Sequence, residues 1–468
     1  MRTRAVIAAS VALLVGVPVA HGATWKRVTA PDGTSIDQAG LMRTADGVLH
    51  VAWHHRTGPN TEDLLHTTIS PAGAIGATTP IQTGWIGFQN AALVPAPGGG
   101  IRAFWGGQRS VDAMDPNQEM NTAASADGGA TWALQVGSIV PAGAQPHGSP
   151  VSATARPDGT PLQTWAGTLG TWVHAGLDPA SPNHDFQAPL GPYGYDAAIA
   201  TDAAGRSVVA WYSSAAGHLG VFAQDVAADG SPVGAPVNFP GTGNMPIGMI
   251  ARTPIVARAG GGFYVAYPTG SPSLNRIRLW RVGASTSRVL ATVGRGQNGL
   301  AALAAAADGR LWIVWSSASG VSPRVFARRS NAAATVFGAT VAAGRPAGTT
   351  SNYRLDGSAS GGALDILGVF NNGTTPTAST FHTRVLPGLT LLASSRRVAR
   401  DGMGVTFTVL DAGDPVKGAR VRAGRASGLT NVKGKVRLSI AAGTAAVSAR
   451  VTAKGYAGAG LRLPRAGR

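Results

Sequence analysis

One strand-turn-strand pattern recurs seven times along the chain, each time as alternating apolar residues, a Gly-containing turn, and a second strand that ends in an aromatic residue. These aromatic residues are spaced 46 to 60 residues apart, at Trp53, Trp105, Trp165, Trp211, Tyr267, Trp315 and Phe370. Alternation around such a turn is typical of a β-hairpin with one buried face. Each copy is followed by room for two more strands, and four antiparallel strands make a propeller blade. A helical solenoid would need a 3.6-residue period, so we predict an all-β propeller of seven blades, or of six if one divergent copy is not a full blade.

The last copy leaves room for only a third strand before residue 387. A short strand-like segment, ATWKRVTA, precedes the first copy near residue 25. We therefore predict that residues 24–29 complete the last blade, which would close the ring and remove free sheet edges. The propeller is expected to span residues 24–387.

The N-terminus has the pattern of a secretory signal peptide. Arg2 and Arg4 precede an apolar run from Ala5 to Ala20, and small residues follow at positions 22 and 23. A membrane anchor needs about 20 apolar residues, and this run is shorter and contains Pro18. We predict that residues 1–23 are removed and that the protein is extracellular, cell-surface or periplasmic. The chain has no cysteine, which excludes disulfides, thiolate metal sites and a cysteine nucleophile.

The segment SADGGATW after the second copy matches the Asp-box pattern S-x-D-x-G-x-T-W at Ser125, Asp127, Gly129, Thr131 and Trp132. An Asp in such a turn can accept backbone hydrogen bonds, while Gly supplies unusual backbone angles. On these residues the chain resembles the sialidase-like, or BNR-repeat, propellers. The resemblance implies that the Asp-box is a structural turn between the third and fourth strands of a blade. It says little about activity.

The same resemblance provides a test for sialidase chemistry. A sialidase of this fold needs three arginines, a Tyr nucleophile activated by a Glu, and an Asp acid/base. Only Glu62 and Glu119 occur in the chain, and we expect both on peripheral loops. This argues against the family's best-known reaction.

Residues at the start of the first strand of each blade should line a funnel at the propeller axis. The candidates are polar or aromatic: Gln38, Gln89, Asn90, His147, Tyr195, Asp196, Arg252, Arg295, Gln297, Asn298, Tyr353 and Arg354. Arg252, Arg295 and Arg354 could together bind a carboxylate, and Tyr353 and Asp196 are the weak catalytic candidates. Three readings stay open: a non-catalytic funnel for a glycan or peptide, a sialidase-like glycoside hydrolase with a rearranged site, or residues that only satisfy backbone groups and water.

We expect no cofactor and no metal. The loop that carries Asp112, Asp115, Asn117 and Glu119 offers oxygen ligands, but their spacing does not match the EF-hand. His54 and His55 are adjacent, so on a strand they should point to opposite faces.

The repeat does not continue into residues 388–468, which we expect to form a separate domain and which contain fifteen Lys or Arg and three Asp. Alternating Val405, Phe407 and Val409 indicate half-buried strands of a small β-sandwich that resembles bacterial Ig-like and carboxypeptidase-regulatory-like domains. Its positive charge indicates contact with an anionic cell-surface polymer, although plain solubility would explain it equally well. We expect no nucleic acid, no transmembrane segment in the mature chain, and a monomer.

Overall fold

A computed structural model describes residues 24–32, 38–89, 91–109, 118–140, 150–166, 170–243, 252–270, 275–293, 300–317, 324–373 and 377–466. The predicted signal peptide lies outside these residues. The described part is all-β, with nine sheets and two single-turn 3₁₀ helices, Pro97–Gly99 and Ala188–Leu190. None of its helices has the length and apolar character needed to cross a membrane.

Seven of the sheets are propeller blades, numbered here in chain order with strands counted from the axis outward. Blade 1 comprises Gly40–Arg43, Leu49–Gly58, Thr61–Ile69 and Thr79–Trp85; blade 2 comprises Ala92–Pro95, Ile101–Gln108, Gln118–Ser125 and Ala133–Leu134, with Gly87–Phe88 also paired to its second strand. Blade 3 comprises Ser152–Ala155, Pro161–Ala166, Thr171–Ala175 and Asn183–Asp185; blade 4 comprises Gly194–Thr201, Ser207–Ser213, Gly220–Val226 and Pro232–Asn238. Blade 5 comprises Ile255–Ala257, Phe263–Thr269, Arg276–Arg281 and Arg288–Thr292; blade 6 comprises Leu300–Ala305, Leu311–Ser317, Arg324–Arg329 and Val341–Gly344. Blade 7 comprises Asn352–Ser360, Ala363–Asn371, Ala378–Val385 and Lys26–Arg27.

The first strands form the inner ring. Each contacts the first strand of the next blade, and Gly40–Arg43 contacts Asn352–Ser360, so the ring is closed. The seven repeat aromatics all lie on second strands and are buried. Because each fills space within or between blades, one large aromatic per repeat gives the ring much of its core. The prediction of an all-β propeller is confirmed, with seven blades.

The N-terminal strand closes blade 7 as predicted. Lys26 pairs with His382 and Arg27 pairs with Phe381 in antiparallel register. Just before this strand, the Trp25 indole N–H donates to the Ala343 carbonyl at 2.8 Å, and its ring packs edge-on against Phe370 at 5.2 Å. The strand Lys26–Arg27 is therefore held by both blade 6 and blade 7.

A buried carboxylate also joins blade 7 to blade 1. Asp365 is fully buried, and its oxygens accept hydrogen bonds from Arg43 at 2.6 Å, His382 at 2.8 Å and Arg384 at 2.8 and 2.9 Å. Burial by itself would raise the pKa of Asp365, but hydrogen bonds from His382 and Arg384 and their charges outweigh it and hold the pKa at about 2. The seam of the ring is therefore closed by ionic contacts as well as by strand pairing.

The turn Ser125–Trp132 lies between the third and fourth strands of blade 2, where the sequence predicts it. The Asp127 carboxylate accepts from the Thr131 amide at 2.9 Å and hydroxyl at 2.6 Å, and the Ser125 hydroxyl accepts from the Gly129 amide at 2.8 Å. The two bonds from Thr131, with a third from the Ser125 hydroxyl at 2.8 Å, hold the pKa of Asp127 well below its usual range. Gly129 has a φ of +89° and packs so closely on His66 of blade 1 that a Cβ atom would lie 2.1 Å from that ring. The turn thus contributes to packing between blades.

The two remaining sheets form a β-sandwich. One comprises Thr390–Ala393, Met403–Asp411, Asp414–Pro415 and Lys435–Ile440; the other comprises Arg420–Ala423, Ala426–Leu429, Val447–Thr452 and Ala459–Leu463. Val405, Phe407 and Val409 point into its core, which the alternation predicts.

The sandwich docks on blade 6. Asp411 is buried and pairs with Arg329, while Asp414 accepts from Arg310 at 2.6 Å. The Arg329 guanidinium also lies over the rings of Trp312 and Tyr456. Arg310 follows the turn after the first strand of blade 6 and Arg329 ends the third strand, which runs in the same direction as the first. Both arginines therefore lie at the end of blade 6 where its first strand finishes. The sandwich sits on that face of the propeller, opposite the face where the first strands begin.

Candidate functional site

The candidate site lies where the inner strands begin. Of the predicted funnel residues, Gln38, Gln89, Tyr195, Asp196, Arg252 and Arg354 are described, and Tyr353 lies in strand Asn352–Ser360, although its side chain is outside the described part. Asn90, His147, Arg295, Gln297 and Asn298 lie outside the described residues. The described part of the site is therefore built from blades 1, 2, 4, 5 and 7.

Arg252 spans the channel. It precedes the first strand of blade 5, yet its guanidinium donates to the carbonyl of Ala39 before blade 1 at 3.2 Å and to that of Ala91 before blade 2 at 2.7 Å. Three blades thus meet at one cation near the axis.

Asp356 is the central acidic group of the site, and the sequence analysis missed it. The Gln38 amide donates to its carboxylate at 2.5 Å across the seam between blades 1 and 7. Burial raises the pKa of Asp356 to about 7, against the opposing effects of Arg252, the Gln38 hydrogen bond and Arg354. The charges of Arg252 and Arg354 therefore both act on this carboxylate. A signal was present in the sequence, since Arg354 and Asp356 are two residues apart and share a face of the inner strand.

The blade 4 side of the site has a strained backbone. Tyr193 and Asp196 both have positive φ, 75° and 54°, and the register between the first two strands shifts between Tyr195 and Ala198. Positive φ is unusual for a tyrosine, and strain and bulges of this kind gather at sites where a side chain must be aimed. The shift turns Tyr195 and Asp196 out of the regular pleat.

Three tyrosines surround Asp196. The Tyr267 hydroxyl donates to its carboxylate at 3.4 Å, and the Tyr212 ring stacks on Tyr267 at 6.4 Å and lies 6.4 Å from Tyr195. Burial, with the charge of Asp196 and the nearby Tyr195, raises the pKa of Tyr212 to about 12, and burial also raises that of Tyr267 well above its usual value. Both hydroxyls therefore stay protonated at neutral pH, which is unfavourable for a phenolate nucleophile.

The prediction that both glutamates lie on peripheral loops is wrong, because each lies on the third strand of its blade. Glu62, in blade 1, is buried, where it accepts from the Phe88 amide at 2.9 Å and contacts His54 at 3.3 Å. These bonds satisfy a buried carboxylate, which is why a charged residue is tolerated there. Glu119 lies on the third strand of blade 2 and pairs with Arg109 at 2.9 Å. Within the described residues, neither glutamate is hydrogen-bonded to a tyrosine.

His54 and His55 have different partners, as strand geometry predicts: His54 contacts Glu62, and His55 contacts Asp32 at 3.1 Å. In the described part of the chain, no group of three or more His, Asp or Glu is arranged to hold a metal ion. Asp112, Asp115 and Asn117 lie outside that part.

Farther along the axis the channel widens to a cavity of about 370 Å³. It is lined by the far halves of six inner strands, among them Ile199, Ile255 and Leu303, with Arg43 and Ser358 at one side. Arg43 is already engaged by Asp365. Thr154, Thr201 and Ser358 also give this part of the channel polar surface. With Arg43 engaged, the described residues that line the cavity offer no other cation to a charged ligand, so the start of the inner strands is the better candidate site for one.

No protein-family profile matches the chain, and a search of curated proteins finds no match. Among solved structures it is similar to a polysaccharide lyase described as an ulvan lyase, with 12% identity and a TM-score of 0.46 over 76% of this chain and 95% of the lyase. It is also similar to Trypanosoma rangeli sialidase in complex with the inhibitor DANA, with 11% identity and a TM-score of 0.44 over 78% of this chain and 60% of the sialidase. A third is Penicillium chrysogenum α-L-arabinanase complexed with arabinobiose, with 13% identity and a TM-score of 0.39 over 77% of this chain and 98% of the arabinanase. At such values the likeness concerns the fold alone.

Proposed function

We propose that this is an exported binding protein whose propeller funnel recognises an acidic glycan without transforming it, while its basic sandwich contacts an anionic cell-surface polymer. The observation that carries the proposal is the position of the Arg252 guanidinium at the start of the inner strands, where it reaches the carbonyls of Ala39 and Ala91. Its charge and that of Arg354 both act on Asp356. Two guanidiniums against one carboxylate leave a net positive charge in a confined, partly dry space. Such a site favours an anionic group on the ligand.

The remaining walls suit a sugar. Tyr195 is partly buried beside Asp196, and Gln38 and Asp356 offer amide and carboxyl groups for hydroxyl recognition. An aromatic face beside a few fixed polar groups is the usual composition of a small-ligand site. An acidic sugar supplies both the carboxylate for the arginines and the hydroxyls for the rest.

The state of Asp356 sets the charge of the site. Its pKa of about 7 means that the carboxyl is mostly neutral in mild acid and ionised in mild base. Protonation leaves both arginines unopposed, so binding of an anion should strengthen as pH falls below about 7 and weaken above it.

Hydrolysis of a sialoside-like substrate is the second candidate. The contact between the Tyr267 hydroxyl and Asp196 favours it, because a nucleophilic tyrosine needs a carboxylate partner. The complete burial of Tyr267 and the raised pKa of its hydroxyl favour a structural role instead. Release of a fluorophore from fluorogenic sialosides by the mature protein, abolished by Tyr267→Phe, would establish hydrolysis and overturn the non-catalytic proposal.

The binding proposal is tested by screening the mature protein against acidic and neutral glycans, then measuring the affinity of the best acidic ligand by calorimetry. Arg354→Gln should weaken binding by at least about tenfold, the loss expected for one charge-assisted hydrogen bond at a buried site. Arg276→Gln is the matched control, since Arg276 is exposed on the third strand of blade 5. Equal affinity of Arg354→Gln and wild type, or a preference for neutral glycans, would contradict the proposal.

A further inference from the structure

The sandwich carries four arginines on the outer face of one sheet. Arg420, Arg422, Arg450 and Arg462 are exposed, while alternate residues such as Val421 and Val451 point into the core. We call these four residues the arginine face. They lie on three neighbouring strands, so they project in the same direction from one surface.

The register brings the charges close together. Arg422 is directly opposite Arg450, Arg420 is opposite Thr452, and Arg462 is opposite Ser448. Neighbouring strands are about 4.8 Å apart and alternate residues along a strand are about 6.8 Å apart, so the guanidiniums form a patch with spacings of this order.

The positive charge of this patch is not neutralised by acidic residues of its own sheet. The four strands of this sheet contain no Asp or Glu, and within the described residues no ion pair reaches any member of the arginine face. Like charges directly opposite on a sheet destabilise it. A requirement for solubility would be met by charges dispersed over the surface and would not place arginines directly opposite one another. An anion bound from outside is therefore the better explanation for the arginine face.

We propose that the arginine face binds a linear polyanion laid across the strands of this sheet. The inference rests on the surface-polymer contact in the proposed function and specifies where it is made. Guanidinium groups form paired hydrogen bonds with phosphate or sulfate oxygens, which explains why the face uses arginine while several lysines lie in the turns around it. The four strands contain no aromatic residue on which bases could stack, so recognition is through the acidic groups of the polymer.

The position of the sandwich leaves the funnel open. Arg310 and Arg329 hold it on the face of blade 6 that is opposite the starts of the inner strands. A polymer on the arginine face therefore holds the protein without covering the funnel, and the two sites bind independently.

The test compares the full mature chain with two double variants, using long-chain inorganic polyphosphate and heparin as probes. Arg422→Gln with Arg450→Gln removes the opposed pair, and Lys433→Gln with Lys435→Gln removes two exposed charges elsewhere on the sandwich. The arginine variant should bind at least about tenfold more weakly, with the slope of log K against log salt smaller by about 1.5, because two phosphate contacts are lost. The lysine variant should stay close to wild type. Binding of polyphosphate, of heparin or of both supports the proposal and shows whether phosphate or sulfate is recognised.

Thermal unfolding provides a second readout. At the same concentration, polyphosphate should raise the Tm of wild type more than that of the arginine variant, since a ligand stabilises the folded state according to its affinity. Without ligand, the arginine variant should be no less stable than wild type, because like-charge repulsion has been removed. Equal weakening in both double variants would show a general charge effect and overturn the proposal, as would binding of neither probe or binding only to anionic lipid vesicles. If Arg354→Gln abolished polyphosphate binding, the polymer would occupy the funnel; the arginine face would then be excluded while the funnel proposal survived.

Discussion

Replacing Asp356 by asparagine should change how the stability of the protein depends on pH. Its folded-state pKa of about 7 lies above its usual value of 3.8, so the protonated carboxyl is the form that the fold prefers. The stability associated with that form is fully present below the unfolded-state pKa and is lost as pH rises through the folded-state pKa. About two pH units separate pH 5 from the folded-state pKa, and each pH unit in this range corresponds to about 1.4 kcal/mol of unfolding free energy. Ionisation of Asp356 should therefore lower the free energy of unfolding by about 3 kcal/mol by about pH 8.

An asparagine side chain at this position has the shape of the protonated carboxyl and cannot ionise. We therefore expect Asp356→Asn to be close to wild type at about pH 5 and more stable by up to about 3 kcal/mol at about pH 8. Urea unfolding of both proteins at the two pH values measures this difference. If the two proteins lost the same free energy between these pH values, Asp356 would not titrate as the geometry requires. Tighter anion binding by the variant above pH 7 would independently support the same charge balance.

Two further substitutions test the ionic contacts that hold the architecture together. Asp365→Asn should lower the unfolding free energy at neutral pH by about 3–5 kcal/mol, because Arg43 and His382 keep their buried positions without the charge between them; wild-type-like urea unfolding would show that strand pairing alone closes the ring. In wild type this stabilisation is present above the usual pKa of 3.8 and is lost as pH falls through about 2. Asp411→Asn should undock the sandwich and speed proteolysis near residues 386–389, whereas Asp401→Asn, at an exposed turn, should not; equal cleavage rates would exclude the Arg329 pair as the docking contact.

The sequence alone determined the features of the fold that repeat or are local. The seven aromatic residues predicted seven second strands because every blade must fill the same space against its neighbours with one large buried side chain. The turn Ser125–Trp132 was placed correctly because its hydrogen bonds join residues at most four positions apart. The closing strand at Lys26 followed from counting strands in the last copy.

The chemistry of the site depended on tertiary structure. Gln38 and Asp356 are 318 residues apart in sequence but share a hydrogen bond, and Arg252 reaches carbonyls before two other blades. In the same hairpin of blade 7, Asp356 has a pKa near 7 and Asp365 a pKa near 2. Both are aspartates on strands, so their sequence contexts could not separate them. The difference comes from which cations lie within hydrogen-bonding distance: the third strand of blade 7 brings His382 and Arg384 to Asp365, and the closed ring adds Arg43 from blade 1.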